Sequence, residues 1–220
     1  AKRCGWLPYY QEWIWHELKQ YVASWAVKYI EPVFAGDIDA AASLAVAARN
    51  AERGVIVVAL WQAKVPVPAF RELLQAVWEH DHQELIWAAE TRRRLRAIFR
   101  YATFEIPELP SKFQVWRGTK HLSPKLAARG YSWTLDRDVA CWFAMRFARE
   151  SSNPLVLTAW VAKESIAFYS DEREEREVVL FNPPMATIDG NPGDWAERFT
   201  VKSAARHAKT LAEMAEHGLS

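Results

Sequence analysis

Two prolines, Pro107 and Pro110, divide this chain into stretches that obey different periodicities. A proline offers no backbone N–H and biases the residue before it away from helix, so Phe104 to Lys112 has to run extended. On the N-terminal side apolar residues recur three and four apart, and on the C-terminal side they alternate. A chain divided in this way reads as α+β: a helical portion over residues 1–105, then a β-rich portion with a C-terminal helix over 106–220.

In the first portion, Trp13, Ile14, Leu18, Tyr21, Val22, Trp25 and Tyr29, with Tyr9 and Tyr10 before them, predict one continuous helix from Pro8 to Ile30. Asp37 or Asp39 is placed to cap an Ala-rich helix running to Arg53, with Gly54 as its stop. Val55 to Leu60 reads as a strand-like or buried apolar piece, and Phe70–Trp78 and Leu85–Phe99 as two more helices. In the second portion, Phe113–Arg117 alternates and ends at Gly118. Leu155–Ala162, Ser165–Tyr169 and Glu175–Phe181 are β-rich, the last running into Pro183 and Pro184. Asp136–Glu150 is predicted helical with Asp138 in its first turn, and a final helix spans Asp194–His217.

Composition narrows the functional classes. Half of the 220 residues are hydrophobic, and 28 Lys plus Arg against 27 Asp plus Glu leave a net charge of +1, which excludes a disordered tail and a uniformly cationic nucleic-acid coat. Cys4 and Cys141 stand far apart with no metal-ligand spacing, and His80 and His82 are i and i+2, off any common helix face, so no metal is expected. No apolar run approaches the roughly 18 to 20 residues that cross a bilayer, and Glu12, Glu17 and Lys19 interrupt any signal-like stretch, so no membrane partner is expected. The expected compartment is cytoplasmic, of the producer or of a target cell.

Three short motifs point toward one chemistry. Val115-Trp116-Arg117-Gly118-Thr119 delivers an arginine at a strand end beside a glycine that lets another group approach the backbone. Ser132-Trp133-Thr134 puts two hydroxyls on one sheet face, ahead of a helix that carries Ala140, Phe143, Ala144 and Phe147. Glu175-Arg176-Glu177, followed by Val178-Val179-Leu180, reads as two carboxylates sharing a strand face about 6 to 7 Å apart, a pairing that raises the pKa of at least one and favours functional sites.

In this order and spacing the motifs resemble the Arg-Ser-Glu signature of the mono-ADP-ribosyltransferases related to the clostridial binary toxins and the arginine-specific vertebrate enzymes. The resemblance covers about residues 113–185 and leaves the helical half out. It implies a split, mainly antiparallel β core of the ADP-ribosyltransferase type, NAD as the only cofactor, and transfer of ADP-ribose to a macromolecular acceptor (protein, RNA or DNA) with release of nicotinamide. It implies that Arg117 helps hold NAD in a bent pose and that the main chain of Gly118 grips the nicotinamide carboxamide. Ser132 stands as the first serine of the family's Ser-Thr-Ser motif. Trp133 and Thr134 replace its threonine and second serine, which puts those two roles in doubt. Glu177 matches the catalytic glutamate, and Glu175 the acidic residue that activates an arginine-type acceptor. By analogy, a small transferase of this kind suggests a toxin or a phage–bacterium conflict protein with an inhibitor partner.

The residues carry a matching chemical account. Breaking the nicotinamide–ribose bond develops positive charge on the sugar, which a fixed carboxylate such as Glu177 stabilises. Nicotinamide leaves neutral, so a second carboxylate, Glu175, is free to take the acceptor's proton. Arg117 offers a planar fork for a diphosphate. Arg117, Ser132 and Glu177 are therefore expected to face one cleft. Phe143 and Phe147 read as core residues of the helix behind the site, with Phe143 also a candidate to stack on nicotinamide; Trp133 fits either use. His121 could line the cleft. The basic run Arg92, Arg93, Arg94, Arg96 and Arg100 reads as a solvated helix surface, or as a contact for an acidic partner such as nucleic acid. Two alternatives stand beside transfer: NAD glycohydrolysis on the same site, and a non-catalytic Trp-rich module that binds nucleic acid or protein.

Overall fold

A computed structural model of the chain describes residues 7–216, with side chains from Trp13 onward other than those of Glu150 and Arg173. Cys4, the Tyr9 and Tyr10 side chains and His217 lie outside the described residues. The chain divides into two compact units, 1–105 and 106–220.

The first unit is helical. It contains α1 (Leu7–Leu18), a 3-10 turn (Ser24–Tyr29), α2 (Ile30–Ala35), α3 (Ile38–Ala47), α4 (Arg53–Gln62), α5 (Val67–Ala89) and α6 (Arg92–Ala102). Ile14, Leu18, Ile30, Leu44, Ile56 and Leu60 are fully buried, as are Phe70 and Trp78 of α5. Asp37 caps α3, accepting the Ala40 N–H at 2.9 Å.

Several boundaries differ from the sequence expectation. The single helix predicted from Pro8 to Ile30 is broken, because Val22 leaves helical geometry to bridge Ala48. Trp13 and Trp25 of the apolar stripe are consequently more than half exposed. That same bridge draws Ala48 into extended backbone and ends α3, so Gly54 is not its stop. Gly54 lies inside α4, where a Cβ would come within 2.2 Å of the Glu84 carbonyl oxygen on α5. Val55–Leu60 is helix rather than strand: burial of Ile56, Val57 and Leu60 outweighs the weak β preference of their branched side chains. The gap expected between Phe70–Trp78 and Leu85–Phe99 falls where α5 leaves helical geometry at Asp81 (φ −138°, ψ 41°), which pairs with Arg53 of α4. A second break, inside the predicted Leu85–Phe99 helix, comes at Glu90, whose backbone is left-handed (φ 59°), and Thr91, whose hydroxyl accepts the Arg94 N–H at 3.1 Å to start α6.

The second unit is built on a six-stranded sheet. Its elements are β1 (Lys112–Thr119), α7 (Pro124–Ala127), β2 (Ser132–Thr134), α8 (Arg137–Met145), β3 (Leu155–Ala162), β4 (Ile166–Ser170), β5 (Glu177–Leu180), β6 (Ala186–Ile188) and α9 (Pro192–Glu216). The strand order is β4-β5-β2-β1-β3-β6, and every neighbouring pair is antiparallel. β1 and β3 are paired over all eight residues of each, whereas β1 and β2 share one bridged pair, Trp116 with Thr134. The sheet thus holds two three-stranded halves joined at that single pair.

Alternation sends the strands' side chains to two faces. Val115, Trp133, Leu157, Val178 and Leu180 share one apolar core with Ile106 and Leu109 from the proline segment. On the other face, Val156 and Trp116 meet Ala140, Cys141 and Ala144 of α8 and Trp195 of α9. Burial pushes the Cys141 thiol up to about 11, which suits a packing role over a reactive one. α8 is shorter than the predicted 136–150 helix. Asp136 caps it by accepting the Asp138 and Val139 N–H groups, and it ends at Met145, so Phe147, read as core, is 90% exposed with φ 58°.

Candidate functional site

The single β1–β2 pair marks where the three motifs meet. Thr134 pairs with Trp116 on one side and with Glu177 on the other, so Trp116, Thr134 and Glu177 share a face, with Ser132 two residues along on the same side. The Thr134 hydroxyl is buried; it donates to the Glu175 carbonyl at 2.6 Å and accepts the Asp136 N–H at 3.0 Å. One threonine therefore ties the Glu175 loop to the cap of α8. Ser132 itself is half-buried and pairs with Val179.

Gly118 follows Arg117 on β1 and faces α8. A Cβ there would stand 1.7 Å from the Ala140 carbonyl oxygen, so only glycine lets β1 and α8 come this close. Lys120, just beyond β1, closes the other end of α8 by donating to the carbonyls of Phe143 (3.3 Å) and Arg146 (2.6 Å). A cation there complements the helix C-terminus, while burial and the nearby Arg146 lower its pKa.

Arg117 departs from the expectation. It pairs with Leu157, so its side chain leaves β1 on the apolar face, opposite to Ser132, Thr134 and Glu177. The three motif residues do not face one cleft from a common sheet face. The guanidinium turns instead toward the β1–β2 junction, where it lies against Gly130, and Nη1 donates to the Ser132 carbonyl. Burial pulls its pKa down, and the negative charge of Glu177 acts against that. Its Nε is buried without a hydrogen-bond partner, and so is the indole N–H of Trp116. Unpaired buried donors are costly, and these two lie on opposite faces of β1.

The two glutamates are also arranged differently from a strand pair. β5 starts at Glu177; Arg176 is left-handed (φ 46°) and Glu175 closes a 3-10 turn. The left-handed residue lets the Arg176 carbonyl accept the Leu135 N–H at 3.0 Å, and it removes the common strand face assumed for the two carboxylates. Glu177 is half-buried beside Thr134. Glu175 turns to Arg206 of α9, 3.5 Å away.

Trp133 takes the core alternative: it is 1% exposed, on the face away from Ser132 and Thr134, and donates its indole N–H to the Gly130 carbonyl at 3.2 Å. Its ring is not offered to a ligand. Phe143 is half-buried on α8, with the Arg146 guanidinium 4.4 Å from its ring centre. His121 is exposed with φ 62°, and its N–H donates to the Ser152 carbonyl. Among the described residues no group of three His, Cys, Asp or Glu side chains could hold a metal ion.

Sequence reasoning passed over Trp116, Trp142 and Arg206. Trp142 on α8 carries two guanidinium groups, Arg146 at 4.5 Å and Arg206 at 4.2 Å. The signal for Arg206 was present: Arg198, Lys202 and Arg206 are spaced four apart, one stripe of a helix. That stripe runs along acids, with Arg198 on Asp138, Lys202 on Asp136 and Arg206 on Glu175.

Comparison with protein-family models, with curated proteins and with solved structures returns no match for this chain.

Proposed function

We propose that the β unit is an NAD-dependent mono-ADP-ribosyltransferase that moves ADP-ribose to a macromolecular acceptor and releases nicotinamide. One observation carries the reading. The sheet narrows to a single β1–β2 pair, with Trp116, Thr134 and Glu177 across it on one face, Ser132 two residues along, and the Arg117 guanidinium donating to the Ser132 carbonyl. An antiparallel core joined at one pair is in keeping with the family resemblance, whereas Arg117 leaving the sheet on the face opposite to Ser132 and Glu177 is not.

The chemistry follows from the groups. NAD brings a pyridinium leaving group and an anionic diphosphate. The family resemblance assigns the main chain of Gly118 to the carboxamide, while the space beside its Cα is taken by the Ala140 carbonyl of α8. A half-buried carboxylate at Glu177 opposes the positive charge that grows on the ribose as the glycosidic bond lengthens, and does so without reorganising. Arg117, already committed through Nη1 to the Ser132 carbonyl, holds β2 beside Glu177 as a positioning residue and adds positive charge at the junction. Glu175 belongs to the acceptor side, where its carboxylate already holds one guanidinium.

The test measures nicotinamide release and acceptor labelling together. Glu177→Gln is expected to lose both by about 10² to 10³-fold with NAD binding retained. Glu175→Gln is expected to lose transfer while keeping hydrolysis. Equal activity of Glu177→Gln and the wild type overturns the reading.

A further inference from the structure

We propose that the outer face of α6, in the helical unit, binds nucleic acid by its phosphate backbone through Arg92, Arg93, Arg96 and Arg100. The apolar residues of α6 are Leu95, Ile98, Phe99 and Ala102, all buried in the unit, and their spacing fixes the rotation of the helix. Arg92, Arg96 and Arg100 stand four apart away from that side, and Arg93 stands seven before Arg100. Four guanidinium groups therefore share one stripe about 12 Å long. Arg93 and Arg100 are exposed, while Arg94 stands to the side and pairs with Glu90.

Further cations extend the stripe at its far end. Arg71 of α5 donates to the Ala102 carbonyl at 2.8 Å and to the Thr103 hydroxyl at 3.2 Å. The exposed Lys64 holds its ammonium 4.9 Å from the ring centre of Tyr101, the residue after Arg100. From Thr91 to Phe104 the chain has no acidic residue.

This charge works against the helix that carries it. Arg92, Arg93 and Arg94 fill the first turn, where the helix dipole favours anions, and no acid stands there to offset them. Arg92 with Arg96, and Arg96 with Arg100, add like-charge repulsion at i,i+4. Both penalties reverse when a polyanion lies along the stripe. All five cations of α6 are arginine, whose planar fork takes two phosphate oxygens at once. A lipid surface fits poorly, because the apolar side of α6 is already buried in the core and cannot insert.

The full chain is titrated against a fluorescein-labelled single strand of mixed sequence, as RNA and as DNA, and anisotropy is followed from about 50 to about 200 mM salt. Binding is expected whatever the sequence, with a log–log salt slope of about −3, from four phosphates at about 0.7 each. R93Q/R100Q is expected to bind at least about tenfold more weakly at low salt and to reduce the slope by about 1 to 2. R93K/R100K keeps both charges and is expected to keep the slope. K125Q/K163Q removes two cations of the β unit and is expected to match the wild type. R93Q/R100Q binding as tightly as the wild type, or K125Q/K163Q losing as much as R93Q/R100Q, overturns the proposal. So does poly-glutamate displacing the strand as well as unlabelled strand does, since that result marks a general acidic partner. Absence of binding at the lowest salt overturns it too, and each of these outcomes leaves the transferase reading of the β unit standing.

Discussion

In the helical unit the fully buried side chains are apolar, Trp78, Phe70 and Phe99 among the largest, whereas the β unit also buries Thr134, Ser152 and Ser170. Among the described residues, the β unit holds Trp116 N–H, Arg117 Nε and the Ser203 hydroxyl buried without partners, and the helical unit holds Nε of Arg53, whose Nη1 is paired with Asp81. Burying a polar group costs free energy unless it is hydrogen-bonded. The β unit carries that cost at more of its described side chains than the helical unit does.

The largest expected effect separates two glycines that serve the same backbone device. Gly118 brings β1 against α8, with a Cβ 1.7 Å from the Ala140 carbonyl; Gly54 brings α4 against α5, with a Cβ 2.2 Å from the Glu84 carbonyl. Gly118→Ala is expected to cost more than about 4 kcal/mol and to abolish nicotinamide release, because a strand paired along its whole length to β3 cannot retreat. Gly54→Ala is expected to cost ~1–3 kcal/mol, since α5 is already kinked three residues before Glu84 and can shift. Urea unfolding of the two variants decides the matter, and an equal or larger loss in Gly54→Ala would break the comparison.

A threonine in each unit gives the next step. Thr91 offers one bond, at a helix start, and Thr91→Ala is expected to cost about 1 kcal/mol. Thr134 is buried and serves two bonds, so Thr134→Val is expected to cost ~1–3 kcal/mol. It is also expected to slow nicotinamide release, because the Glu175 carbonyl loses its hold. If release is unchanged when the variant is folded, Thr134 supports the sheet and not the site.

The division at the prolines, the α+β class and most strands were legible because periodicity and proline chemistry act locally. β3 runs over the predicted residues, and the Asp37 and Asp136 caps fall at signals in the sequence. The breaks that were missed lie where a distant partner decides: Val22 leaves its helix for Ala48, and Gly54 answers to Glu84. At the site, residue identity pointed to the β1–β2 junction, yet the faces were not legible. Arg117 is assigned to the apolar side by its pairing with Leu157, and the Glu175–Glu177 strand is cut by one left-handed residue, Arg176. Neither register nor a non-glycine positive φ leaves a trace in spacing alone.

Asp136 offers a pH test of the same contrast. Burial alone would raise its pKa, but the Lys202 ammonium at 3.0 Å and the N–H groups of Asp138 and Val139 hold it below the ordinary carboxylate value of 3.8. A carboxylate with a depressed folded pKa adds stability above its unfolded value and loses it as pH falls through the folded one. Asp136→Asn keeps a competent cap but not the charge. The stability gap between Asp136→Asn and the wild type is therefore expected to be full near neutral pH and to close below about pH 4. A gap that stays constant into acid would mean that Lys202 contributes nothing through this pair.

The smallest effect belongs to the helical unit's surface. Glu90 and Arg94 form an i,i+4 pair at 3.0 Å with side chains 68% and 36% exposed. Such a pair gains little Coulomb energy in water and restrains two long side chains, so Glu90→Gln is expected to cost about 0.2–0.5 kcal/mol and to become undetectable near 1 M salt, where screening acts within about 3 Å. Lys202→Gln, on the half-buried Asp136, is expected to keep more of its cost at the same salt, because the two side chains are only 19% and 27% exposed. Denaturation with and without salt checks the two together. A salt-resistant loss at Glu90 would show that the basic run of α6 is held against something other than solvent, and the exposed face that nucleic-acid binding requires of Arg92 to Arg100 would give way.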